Sequence, residues 1–213
     1  MNLNNELLSE DQKDILQEIM NIAFGNATAD LADVVDIYVE LSVPAIELIN
    51  TGELSGYINS SLNSYTNAFI ISQKFLGDFN GYGLFVFPNG AGHDLVAIIE
   101  DTGTEDFHSS PAASLEKEII MEIGNILIGA CVGKISELLN TVVVYSPPKA
   151  ILEKSMEFDS FIDSFGPLQT VIAMKTVFKF LQKDINGFIV VLTDQESIKW
   201  LKTALDKFME SYQ

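Results

Sequence analysis

The chain has 213 residues, room for one sizeable domain or two small ones. Its 12 basic residues are all lysine and stand against 30 acidic residues, for a net charge of −18. Such a surface repels nucleic acid and anionic lipid. The absence of arginine removes bidentate phosphate clamps and arginine fingers, which argues against a nucleotide-hydrolysing enzyme.

Ser9-Glu10-Asp11-Gln12 reads as a capping box. It opens a helix that runs to about Val35, with Glu10 and Asp11 suited to the positive end of its dipole. Residues 37–43 alternate toward a strand that ends before Pro44. Further strands are expected near residues 54–59, 66–72 and 82–87, with Asn80-Gly81 as a hairpin signal. Residues 93–100 read as a short helix and the polar residues 101–110 as a link between halves. Ser110-Pro111 caps a second long helix, with proline at its first position. Strands follow near residues 142–146, 150–157, 170–181 and 187–193. Asp194 caps a last helix whose apolar face is Ile198, Leu201, Leu205 and Phe208. Helix then strands, twice, without regular crossover helices, predicts an α/β (α+β) fold with an antiparallel or mixed sheet.

One polar constellation is written twice. The first copy places Asp14, Glu18 and Asn21 at i, i+4 and i+7, with Pro44 twenty-three positions beyond the asparagine. The second places Glu118, Glu122 and Asn125 likewise, with Pro148 at the same distance. Every matched point is offset by 104 residues, so the halves 1–104 and 105–213 read as two repeats of one domain. At about 100° per residue, each polar trio shares one helix face. Ile15, Ile19 and Ile22, matched by Ile119, Ile123 and Ile126, form a neighbouring apolar stripe. Gly25 and Gly129 also match, and glycine in a helix predicts close approach of another backbone. Duplication accounts for the apolar matches. It does not by itself demand Glu-x-x-Asn twice, and asparagine is a mediocre helix former with no capping task in mid-helix.

This signature resembles that of the CheC, CheX and FliY phosphatases of bacterial chemotaxis: acid or serine, three residues, Glu, two residues, Asn, twenty-two residues, Pro. The first copy fits in full, and the run Asn21-Ile22-Ala23-Phe24-Gly25-Asn26-Ala27 fits the family's Asn-Ile-x-x-Gly-Asn-Ala. The second fits at Glu122, Asn125 and Pro148, with Glu118 where the family usually has Asp or Ser. Two motifs in one chain of this length resemble CheC in particular. The resemblance implies a pseudo-two-fold fold with two long helices side by side on one surface. It implies as substrate the phosphorylated receiver domain of a CheY-type response regulator, whose acyl phosphate sits beside the receiver's own Mg²⁺. It further implies that Asn21 and Asn125 orient the attacking water and that Glu18 and Glu122 dock on the receiver's lysine. Asp14 and Glu118 are candidate accessory acids, and Pro44 and Pro148 are structural. No cofactor of the chain's own is expected. The alternatives are an adaptor that binds a receiver or CheD without hydrolysis, and a flagellar-switch component of related fold.

Other signals point to structure. Cys131 matches Ala27 in the repeat and reads as a small buried residue. His93 and His108 have no ligand-like spacing, so no metal site is expected. Gly81, Gly83, Gly90 and Gly92 lack the Gly-Lys-Ser/Thr of a phosphate loop and read as turns. Trp200 reads as core. No apolar run reaches the roughly 18 residues of a membrane span. The N-terminus lacks a signal-peptide pattern, and a lone cysteine suits a reducing compartment. Together these predict a cytoplasmic protein without membrane insertion.

Overall fold

The computed structural model describes residues 7–35, 38–62, 68–87, 112–152, 155–166, 169–181 and 185–210. The expected helix at 93–100, the link at 101–110, the Ser110-Pro111 cap, Gly90, Gly92 and both histidines lie outside them.

The first repeat contributes helix α1 (Glu10–Val35), strands β1 (Val39–Leu41) and β2 (Ala45–Asn50), helix α2 (Thr51–Leu62) and strands β3 (Phe69–Gly77) and β4 (Gly81–Phe87). The second contributes α3 (Ala112–Leu138), β5 (Val143–Tyr145), β6 (Lys149–Leu152), α4 (Met156–Asp163), β7 (Thr170–Phe180), β8 (Ile185–Thr193) and α5 (Gln195–Glu210). The eight strands of the described residues form one sheet in the order β1-β7-β8-β4-β3-β5, with β2 also on β7 and β6 also on β3. Every pairing is antiparallel. The order is a palindrome of the two repeats. Equivalent strands β4 and β8 meet at its centre, and the pseudo-two-fold axis crosses the sheet between them. The repeats interleave: β1 and β2 lie on the other repeat's β7, and β5 and β6 lie on the other repeat's β3.

Both sheet faces are covered, so the central strands read as continuous apolar runs. In β4, Phe85 and Phe87 face one core, and Leu84 and Val86 the other. The first core lies under α1, α3 and α5, the second under α2 and α4. Each fully buried Leu, Ile or Phe here contributes about 1.5–3 kcal/mol. The apolar segment Glu118–Leu138 of α3 has the length and composition of a membrane span. Ile119, Ile123, Leu127, Cys131 and Ile135 instead pack into the first core.

Local chemistry sets the helix ends. The Ser9 amide donates to Gln12 Oε1 (2.9 Å) and the Gln12 amide to Ser9 Oγ (3.2 Å), completing the capping box. Gln12 also donates to Asp206 of α5 at 2.6 Å, tying the two helices together. Asp194 Oδ1 accepts from the Ser197 amide at 2.8 Å and caps α5. In the β3–β4 hairpin, Asn80 Oδ1 accepts from the Gly77 amide at 2.8 Å.

Several expectations need correction. Residues 54–59 lie within helix α2, where Leu54 and Ile58, four apart, are buried on one face. The strand expected over 150–157 stops at Leu152, and Ser155 caps α4 by accepting from the Phe158 amide at 3.2 Å. Gly81 and Gly83 belong to β4. A side chain at Gly83 would collide with Ile128 of α3, so this glycine lets the helix sit on the sheet. Gly25 and Gly129 have no such neighbour: among the described residues nothing lies within 4 Å of where their side chains would begin. The close approach falls instead at Gly124, against Ile71. The isoleucine stripe of α1 is rotated as well. Leu16, Ile19, Met20, Ala23, Phe24 and Ala27 are buried, whereas Ile22 is 40% exposed.

Candidate functional site

Helices α1 and α3 pack side by side over the sheet. Burial of Leu16, Ile19, Ala23 and Phe24 on one side of α1 turns Asp14, Glu18 and Asn21 outward, and all three are exposed. Burial of Ile119, Ile123 and Leu127 does the same for α3: Glu118 and Glu122 are exposed, and Asn125 is half-buried. Gly25, four residues after Asn21, is exposed on the same stripe. Glu18, Asn21 and Gly25 thus form a strip whose polar groups the fold does not consume.

The prolines sit where each short outer strand breaks. Pro44 is buried between β1 and β2, which both pair with β7. Pro148 is half-buried between β5 and β6, which both pair with β3. Proline has no amide hydrogen to contribute, so it suits an interruption in the ladder.

Three polar residues that the sequence reading did not single out hold these loops, and two of them also tie a loop to a motif helix. Gln17 Nε2 donates to the Pro44 carbonyl at 2.6 Å, pinning α1 to the first loop. Its counterpart in the second repeat is Met121, which has no such donor. There Gln73 of β3 acts instead, its Nε2 donating to Asn125 Oδ1 at 2.9 Å and to the Ser146 carbonyl at 3.1 Å. At the first site Thr176 Oγ1 of β7, from the opposite repeat, donates to the Ser42 carbonyl at 2.6 Å. One signal was available for Gln73 and Thr176: each is a polar residue in the helix-facing register of a strand, between Ile71 and Phe75 or between Met174 and Phe178.

Cys131 is buried, and burial pushes its thiol well above the ordinary value. Tyr145 donates to the Gly129 carbonyl at 3.1 Å. Burial, and then the neighbouring Cys131, push its hydroxyl up to about 12, so it remains a neutral donor. No cluster of three or more His, Cys, Asp or Glu suited to a metal occurs among the described residues.

Comparison with known proteins places these features. The model of the CheC-like family matches residues 12–48 and 115–152, each running from a motif helix past its proline. The CheY-P phosphatase CheC of Bacillus subtilis is 21% identical over 206 residues, covering 93% of this chain and 95% of that protein. FliY of Thermotoga maritima shares the fold with a TM-score of 0.69, at 17% identity, over 94% of this chain and 98% of that one. The FliM middle domain of Vibrio alginolyticus shares it with a TM-score of 0.59, at 15% identity, over 88% of this chain and 98% of that one. The chain is thus similar to the CheC-like family at both motif helices and their prolines, and to a CheC relative along nearly its whole length.

Proposed function

We propose that the protein accelerates hydrolysis of the aspartyl phosphate on a CheY-type receiver through the exposed faces of α1 and α3. The observation that carries this reading is that Glu18, Asn21 and Glu122 are exposed and Asn125 is half-exposed, while the adjoining faces of the same helices are buried. The relationship to a CheY-P phosphatase supplies the substrate class.

The chemistry is economical. Phosphoryl transfer needs an in-line water and charge stabilisation, with little covalent work for the protein. An asparagine amide donates to a phosphoryl oxygen and accepts from water without changing protonation. Glu18 and Glu122 pair with a receiver lysine and fix the docking, and the receiver brings Mg²⁺. Orientation alone lowers such barriers by several kcal/mol. The bare helix surface at Gly25 gives the receiver's backbone room beside Asn21.

The likeness to a FliM middle domain motivates a second reading, an adaptor that binds a receiver or CheD without hydrolysis. Receiver binding and phosphate lifetime, measured together, separate the two. A phosphatase shortens the lifetime at catalytic amounts. An adaptor binds and leaves it unchanged.

A further inference from the structure

The two motifs are joined to the sheet by unequal parts, and this has a consequence for Asn125. The pairings Ser72↔Lys149 and Lys175↔Ala45 are equivalent, because Lys149 and Ala45 are separated by the 104-residue repeat. Ser72 and Lys175 are therefore counterparts, an offset of 103, and so are Gln73 and Thr176. Both donate to the same loop carbonyl of their site, Ser146 or Ser42. Gln73 is longer and also reaches the motif asparagine. Thr176 spends its hydroxyl proton on Ser42, and Asn21 makes no side-chain hydrogen bond within the described residues.

The network fixes which way the Asn125 amide faces. The Ser146 carbonyl only accepts, so Gln73 must present Nε2 to it. The same Nε2 touches Asn125, which must then present Oδ1. The Asn125 NH₂ group is left on the side away from Gln73. Gln73 is 3% exposed, and its own Oε1 has no hydrogen-bond partner among the described residues. A buried amide that leaves one acceptor unmet on an otherwise apolar strand face is a poor choice for packing alone. It is explained by what its donor holds.

We propose that Gln73 is a positioning residue that locks Asn125 with its NH₂ group outward, ready to donate to a phosphoryl oxygen. The second motif is thereby pre-organised, whereas Asn21 must be oriented by the bound partner. The inference rests on the phosphatase reading. Its physical part, the locked amide, is measurable without it.

The test copies the first site into the second. In an Asn21→Ala background only the second motif remains, and Gln73→Thr should there lower kcat for a phosphorylated receiver about tenfold with KM little changed. The loss should exceed that of the same substitution in an Asn125→Ala background by about tenfold, which a general packing defect would not produce. In ¹H–¹⁵N spectra of the free protein, the Asn125 side-chain NH₂ pair should be well dispersed. In Gln73→Thr it should move to the position typical of exposed asparagine, where the Asn21 signal is also expected. An unchanged kcat in the Asn21→Ala background, equal losses in both backgrounds, or an Asn125 signal that ignores Gln73→Thr would overturn the proposal. If no form hydrolyses any receiver phosphate, the phosphatase reading falls, and the Asn125 signal still decides the lock.

Discussion

Asn21 and Asn125 occupy the same motif position, yet among the described residues only Asn125 is held by its own fold, through Gln73. Which residues face outward was legible in the sequence, because i, i+4, i+7 spacing fixes a shared face whatever lies beneath. How each face is held was not legible, because Gln17, Gln73 and Thr176 act across 27 to 134 positions of chain. The matched glycines show the same divide. Their recurrence was visible, but the expected backbone contact is missing at both. At Gly25 the helix surface is open. Gly25→Ala should raise stability by about 1 kcal/mol, since the site is open and alanine is the better helix residue. Gly25→Met should leave the protein folded yet weaken receiver binding several-fold, read by titration against thermal melting. If Gly25→Met binds as well as wild type, the strip is not a docking surface. Cys131, at 0% exposure with its thiol pushed up by burial, should resist alkylation at pH 8 until denaturant is added. Labelling of the native protein at the rate of a free thiol would contradict its placement.

At the level of elements, legibility followed the range of the interactions. The start of α1 and the cap of α5 rest on side chains three residues apart, and both were read correctly. Removing the first should register: Ser9→Ala is expected to cost about 1 kcal/mol, or roughly 2–4 °C in Tm for a chain of this size. An unchanged Tm would mean the Gln12–Asp206 tie alone holds that end. The short helices α2 and α4 were missed. Each buries only two or three apolar side chains against the far face of the sheet, too few to outweigh a strand-like alternation. Gly81 and Gly83 were misread as turns for a related reason. Their role is to admit Leu192 and Ile128, neighbours set by tertiary packing.

For the whole molecule, the 104-residue repeat and the pseudo-two-fold fold were legible, but the interleaving was not. Nothing local records that β1 and β2 would lie on β7 of the opposite repeat. The consequence is mutual dependence of the halves. Residues 1–104 or 105–213, produced separately at low concentration, should give poorly dispersed NMR spectra, and mixing should restore the dispersed spectrum of the intact chain. A half that folds as a monomer would contradict the interleaved sheet. The outer faces of α1 and α3 are what this scaffold presents, and the central claim is that their asparagines carry receiver dephosphorylation. The most direct measurement follows acyl-phosphate decay on a CheY receiver from the same cell, with catalytic amounts of the wild-type protein or of the Asn21→Ala, Asn125→Ala double variant. The account predicts that wild type accelerates decay and that the folded double variant returns it to the receiver's own rate. Acceleration that survives loss of both asparagines would contradict it.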